Sequence, residues 1–376
     1  MRIFILLFCC MLLSSNWQLW AQEKIIEPQG YIYDAQSEAF FENLLQKNPY
    51  YVEKSNAGNL PKKVDLKSWC PPIVDQKTSE ACVAIAVANA MTISEASVSD
   101  WTCEKITEER FAPFDLYEYT VGTLGKYEVQ SDVPCRTLMR MEKVLENAQK
   151  RGVKRCKKRG KDCDSCSGEV ALKKQSSDGK DCEKIYRYDV LHNELGALKV
   201  ALNKQMPVLI GIELAESFNK DNLANKEVWE PLAYEVPNPN INGGHVMLLV
   251  GYDDYKAGGA FLVMNSWGTD FADGGYVWIA YSNLIDWLQV ACTIEKEDMT
   301  CSVNCVKDNK NLPIELINQN GAFYGCAVVA HNKDHEFTLS LDKPQNVYLC
   351  ARTSNQFSWL IKPTLTNKTE ATIPLK

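Results

Sequence analysis

From Cys82 to Ala96 the chain reads CVAIAVANAMTISEA, a run of mostly small and apolar residues free of glycine and proline and long enough for a helix. Such a helix has no broad polar face for water, so the fold must bury it between other layers. It opens on a cysteine. A thiol attacks only as thiolate, and a helix N-terminus supplies a positive dipole that helps lower its pKa from about 8.5. Around this run the pattern is helix-leaning: SEAFFENLLQK upstream, then FAPFDLYEYTVGTL and TLMRMEKVLENAQKRGV, each with apolar residues at helical spacing. After ELGALKVALNKQ, a further helix, the pattern turns to strands: MPVLIGIEL, VMLLVGYDD, AFLVMN and GGYVWIAY, bounded by glycine, aspartate and asparagine.

The strand region holds two residue types that a reactive thiol needs. His245 stands in NGGHVMLLVGYDD, between a glycine pair and an apolar strand, and Asn265 stands in AFLVMNSWG at the end of the next one. An asparagine amide oxygen can hold one imidazole nitrogen and so aim the other at sulfur, with Trp267 shielding that bond from water. Gln76, six residues before Cys82, is the candidate donor to an oxyanion. These readings compete with plainer ones. A cysteine in an exported protein is usually half of a disulfide, His245 can be a packed core residue, and Asn265 and Gln76 can serve a turn or a loop.

Order and context together carry a resemblance. VDLKSWCPPIVDQKTSEACVAIA, GGHVMLLVGYDD and FLVMNSWGTDFADGGYVWIAY resemble the papain-like cysteine peptidases over roughly residues 64 to 290, in a form closer to the prokaryotic branch. The resemblance implies an α+β fold with a helical lobe carrying the thiol and an antiparallel β lobe carrying imidazole and amide. It also implies Cys82 as nucleophile, His245 as acid and base, Asn265 as orienter, and Gln76 with the Cys82 amide as oxyanion hole. The implied activity is endopeptidase cleavage of protein or peptide substrates without metal or organic cofactor. Two rival readings stay open: an idle papain-fold binding protein, and an acyl transferase or amidase sharing the acyl-enzyme. The nucleophile loop departs from the family's glycine-rich pattern at Lys77, Glu80 and Val83, and Ser79 stands where a cysteine is common. Glu80 can favour imidazolium or disfavour thiolate, according to which it lies nearer. The family's glycine pair at the substrate-binding edge is missing around QSDVPCRTLMRMEKVL.

Four segments are expected. Residues 1–21, MRIFILLFCCMLLSSNWQLWA, have the charged start and short apolar core of a signal peptide, so the mature chain is expected to be secreted or periplasmic with no stable membrane insertion. Residues 22–63 form a short strap or pro-segment, whereas papain-like enzymes generally carry a longer propeptide that fills the cleft in reverse. Residues 64–294 form the catalytic domain, and 295–376 a small β-sandwich-like domain outside the resemblance. That tail binds carbohydrate, protein or the cell surface, or only rigidifies the enzyme. His331 and His335 lie in its strand-like region, against a helical metal pair. Trp229 and Tyr234, in the turn-rich stretch before His245, are candidates to touch substrate or pack on the sheet.

Without Cys9 and Cys10 of the leader, 13 of 15 cysteines remain, and setting Cys82 aside leaves 12, an even number compatible with complete pairing. Cys163 and Cys166 form a CxxC for which disulfides are a better use than zinc in an oxidising compartment. The net charge of −7 argues against a dedicated nucleic-acid binder. One basic stretch, KRGVKRCKKRGKDC, is read as a solvated, cysteine-stapled loop in preference to a site for an acidic partner or membrane headgroups.

Overall fold

The computed structural model describes residues 30–47 and 60–295, apart from 126, 132, 160, 161, 168–178, 180, 186 and 239–243, together with strands between 300 and 374. The leader and residues 48–59 lie outside the described residues. The apolar run becomes the helix Cys82–Ser99, buried without interruption from Cys82 to Ile93. It ends where Asp100 turns left-handed at φ 48° and its amide caps the Ala96 carbonyl. Length and composition alone would let this helix cross a membrane, but here it is the core helix. The helices Pro113–Thr123 and Met141–Lys150 pack on it from one side and the main sheet from the other.

That sheet has eight strands. Its order is Arg187–Leu191, Leu288–Glu295, Val208–Ile212, His245–Asp253, Ala260–Met264, Tyr276–Ala280 and Val228–Trp229, with Lys63–Asp65 also pairing on His245–Asp253. Neighbours run antiparallel except the Tyr276–Ala280 and Val228–Trp229 pair, which is parallel. The strand HVMLLVGYD is buried from His245 to Tyr252, so its sequence reads as continuously apolar instead of alternating. The result is the expected α+β architecture: a helical lobe headed by Cys82 against a sheet lobe whose central strand begins at His245. The helices Ala35–Lys47 and Leu195–Asn203 also form as their periodicity predicts.

Beyond the main sheet, Thr300–Cys305, Lys310–Asn318, Val347–Thr353 and Gln356–Ile361 make a four-stranded antiparallel sheet, and Val328–Val329, Glu336–Ser340 and Glu370–Pro374 a three-stranded one. The side chains there lie outside the described residues, His331, His335 and four cysteines among them.

Two expectations are corrected. Cys135 bonds Cys166 and Cys156 bonds Cys163, so the two CxxC cysteines take different partners, while Cys70, Cys103 and Cys292 keep their thiols and pairing is incomplete. The basic stretch is not simply a solvated loop, because its arginines are drawn into ion pairs. Arg151 reaches Asp115 at 2.6 Å, Arg155 reaches Glu95 at 2.8 Å and Glu183 at 2.5 Å, and Arg159 reaches Glu118 at 2.8 Å. Arg151 and Arg155 are buried, and a guanidinium goes inside only when matched by carboxylates.

Candidate active site

Cys82 is the first residue of its helix, so its own amide and that of Val83 lie among the N–H groups without a helical acceptor. Both amides, and that of Val246, face the sulfur and favour its charged form. Val246 follows His245, and thus the start of the central strand brings the imidazole's neighbourhood to the helix N-terminus.

His245 is fully buried and its Nε2 lies 2.7 Å from Asn265 Oδ1. The same oxygen accepts the Ser266 N–H at 2.7 Å, which fixes the amide with oxygen toward the ring. An accepting oxygen requires a donating Nε2–H, so in the neutral ring Nδ1 carries the lone pair. Nδ1 has no hydrogen-bond partner among the described residues. The Trp267 ring lies 4.8 Å from the imidazole, centroid to centroid, and is itself held by Phe218 and Phe271. Trp267 is thus placed to shield the imidazole. Trp229 packs edge-on against Phe218 and is buried, so of its two expected uses it takes the packing one, while Tyr234 is exposed.

Gln76 joins the same assembly. Its amide N–H donates to Ser266 O at 2.8 Å, its Oε1 accepts the Ser266 hydroxyl at 2.6 Å, and its Nε2 donates to Ser79 O at 2.8 Å. Ser266 therefore ties Gln76 to Asn265, a linking role hidden in the sequence, where Ser266 is only the neighbour of a more conspicuous asparagine.

The cleft is covered. Tyr31–Ile32 pairs in parallel with Met139–Arg140, and Tyr31 also bridges Gly244 on the sheet lobe. Met139–Arg140 lies in the stretch QSDVPCRTLMRMEKVL, where the glycine pair is missing. Gly30 N–H donates to Glu80 Oε2 at 2.7 Å, and Gly30 O accepts from the Met139 amide at 3.1 Å. Gly30 has φ +59°, and a Cβ there would fall 2.6 Å from the Cys82 sulfur. Tyr31 is buried over Gly211, where a Cβ would meet its phenol oxygen at 2.8 Å. Next along the strap, Asp34 pairs with Arg140 and Ser37 donates to Glu142 at 3.0 Å.

Burial dominates the electrostatics. Burial pushes the Cys82 thiol up to about 12, with Glu80 adding to the rise, and burial lowers His245 to about 4 against the pull of Asn265. Glu80 bears on the thiol, which answers the question its position raised: it disfavours thiolate. Both shifts favour the neutral forms of the buried pair.

The fold is the two-lobed papain-like one, a helical lobe against an antiparallel sheet lobe. Residues 134–302 match the family model described as papain family cysteine protease, a span that includes His245 and Asn265 but begins after Cys82. Over that span the chain is similar to the papain-like peptidases. It is 34% identical over 90 residues to cathepsin S of Mus musculus and 33% over 87 residues to cathepsin S of Rattus norvegicus, matches that span 23% of this chain. The chain spans about a quarter of the length of these curated relatives, 24% in each case. Among solved structures it is similar to xylellain, a cysteine protease from Xylella fastidiosa, with a TM-score of 0.53 and 24% identity over 72% of this chain and 97% of that one.

Proposed function

We propose that the chain is an exported cysteine endopeptidase held closed by residues 30–47. The observation that carries this reading is the imidazole: Nε2 is held by Asn265, and Nδ1 has no hydrogen-bond partner among the described residues, at the strand start that also presents the Val246 amide to Cys82. When the strap is displaced, water and substrate reach the pair. The Cys82 proton passes to His245 Nδ1, the sulfur attacks a peptide carbonyl, and the oxyanion forms against the Cys82 amide and Gln76 Nε2. His245 returns the proton to the leaving amine, and water, deprotonated by the same nitrogen, then hydrolyses the thioester and regenerates the thiol. The apolar leader and the two disulfides support export.

The test is covalent labelling of the full chain by an epoxide or vinyl-sulfone inhibitor, read by intact mass and peptide mapping, with Cys82→Ala and His245→Ala controls. Labelling at Cys82 that needs His245 supports the peptidase. No labelling, even after removal of residues 22–63, favours a papain-fold binding protein whose catalytic set is idle.

A further inference from the structure

We propose that the Cys135–Cys166 disulfide is a reducible latch on the closed cleft: a low-molecular-weight thiol that opens it loosens the strap from Glu80 and unmasks Cys82. The inference rests on the reading of residues 30–47 as a cover over a peptidase thiol, and concerns what regulates that cover.

The two ends of the bridge differ. Cys166 stands on a fixed post, because its neighbours are tied to the helical lobe: the Ser167 amide donates to Glu118 Oε1 at 2.9 Å, Arg159 donates to the Ser165 carbonyl at 3.0 Å, and Arg159 itself lies 2.8 Å from Glu118. Cys135 lies outside any helix or strand and is left-handed at φ 66°, a conformation that a residue with a side chain keeps only when its surroundings hold it there. The bridge is that hold. The Cys135 carbonyl, aimed by this turn, accepts the Glu80 amide at 2.9 Å, and the next residue, Arg136, reaches Glu80 Oε1 at 3.5 Å. Glu80 in turn accepts the strap's Gly30 amide at 2.7 Å. A continuous line of contacts thus runs from Cys166 through Cys135 and Glu80 to the strap beside Cys82.

Reduction breaks this line at its covalent link. An incoming thiolate attacks one sulfur of the bridge, and the other leaves as thiolate and takes a proton. A second thiolate resolves the mixed disulfide, so two small thiols are oxidised to one disulfide while the bridge becomes two thiols. Cys135 then relaxes out of the left-handed turn, its carbonyl swings off the Glu80 amide, and the carboxylate that held Gly30 is free to turn away. The change stops at Thr137, whose amide and carbonyl are clasped by the Tyr117 hydroxyl at 3.1 and 3.0 Å, so the Met139–Arg140 strand stays in place. Access favours this bridge over the other. Cys135 and Cys166 are both partly exposed, and Pro134 and Arg136 beside Cys135 are exposed, whereas Cys163 of the Cys156–Cys163 bridge is buried.

The experiment uses the full chain, oxidised or treated with graded dithiothreitol and desalted, and follows iodoacetamide alkylation of Cys82 by intact mass and peptide mapping. Cys135–Cys166 should open at lower dithiothreitol than Cys156–Cys163. The Cys82 rate should rise with it by about fivefold to thirtyfold, the range set by releasing one left-handed residue, and should fall back on reoxidation. Cys135→Ser/Cys166→Ser should be fast without reductant, and Cys156→Ser/Cys163→Ser slow until reduced. Cys135→Gly/Cys166→Ser, in which glycine takes φ 66° at no steric cost, should return most of the way to the slow rate. A reduced wild type or a serine pair within twofold of the oxidised rate would overturn the latch, as would a glycine pair as fast as the serine pair. The wild-type titration decides the matter even where a variant does not fold. Alkylation reads the latch and peptide cleavage reads the peptidase, so the two fail separately: a chain that unmasks Cys82 on reduction yet cuts no peptide, even as Tyr31→Ala, keeps the latch and loses the peptidase.

Discussion

Shortening Tyr31 to alanine should open the cleft. The ring is 1% exposed, and truncating a buried aromatic typically costs about 3–5 kcal/mol. The Tyr31 hydroxyl has no hydrogen-bond partner among the described residues, which offsets about 1 kcal/mol of that gain. The remainder, about 2–4 kcal/mol, belongs to the closed state, because an open strap leaves the ring in water either way. At about 1.4 kcal/mol per factor of ten, the open fraction should rise by roughly thirtyfold or more. The assay is the rate of Cys82 alkylation by iodoacetamide at neutral pH, followed by intact mass and assigned by peptide mapping, since Cys70, Cys103 and Cys292 also carry thiols. Tyr31→Phe, which removes only the unpartnered hydroxyl, should leave the rate low. A Tyr31→Ala rate within twofold of wild type would refute the reasoning, for it would mean that the strap does not govern access to the sulfur.

Gly211→Ala tests the same contact from the other side: the three atoms nearest the added Cβ, at 2.8–3.0 Å, all belong to Tyr31. It should speed alkylation in the wild-type background and do nothing further in Tyr31→Ala. His245, lowered to about 4, makes the fold acid-sensitive. The folded ring stays neutral while the unfolded ring, with a pKa near 6.5, takes a proton, so stability held above pH 6.5 drains away as pH falls toward 4. Between pH 7 and 4.5 wild type should lose about 2 kcal/mol more than His245→Gln in denaturant unfolding, a difference in which the carboxylates common to both cancel; equal losses would contradict the buried neutral ring. Ser266→Ala frees Gln76 Oε1 from its 2.6 Å hydroxyl and should lower kcat on a peptide by about fivefold to tenfold with KM nearly unchanged, whereas a rise in KM alone would place Gln76 in ground-state binding.

The residues that sequence reading singled out are those whose role is written into their immediate neighbours. Cys82 opens an apolar helix, His245 opens an apolar strand and Asn265 closes one, so each announces its place by a change of pattern. What the sequence hides is pairing at a distance. Tyr31–Ile32 and Met139–Arg140 are two-residue strands with no alternation to detect, and their partnership exists only because the lobes bring them together. The lone glycine in MPVLIGIEL was a usable signal, since a glycine inside a strand often marks a close approach, here by Tyr31. Ionic partners are equally silent: the basic run reads as a surface, yet Arg155 is matched by Glu95 and Glu183, far from it along the chain. Cysteine parity was compatible with a complete set of bridges, yet Cys70, Cys103 and Cys292 keep their thiols.

The strap that closes over Cys82 is part of the chain it obstructs. Its local concentration at the cleft is fixed by covalent linkage through the twelve residues between Lys47 and Leu60, and an occupant linked so closely stands on the order of millimolar however dilute the protein. If the chain is exported and closed as proposed, its latency survives release into a large volume, where a separate inhibitor would be diluted away. A single cut in that tether turns a dilution-proof occupant into an ordinary diffusible ligand, and from then on the surrounding volume, which had no influence on the closed chain, drives the enzyme open.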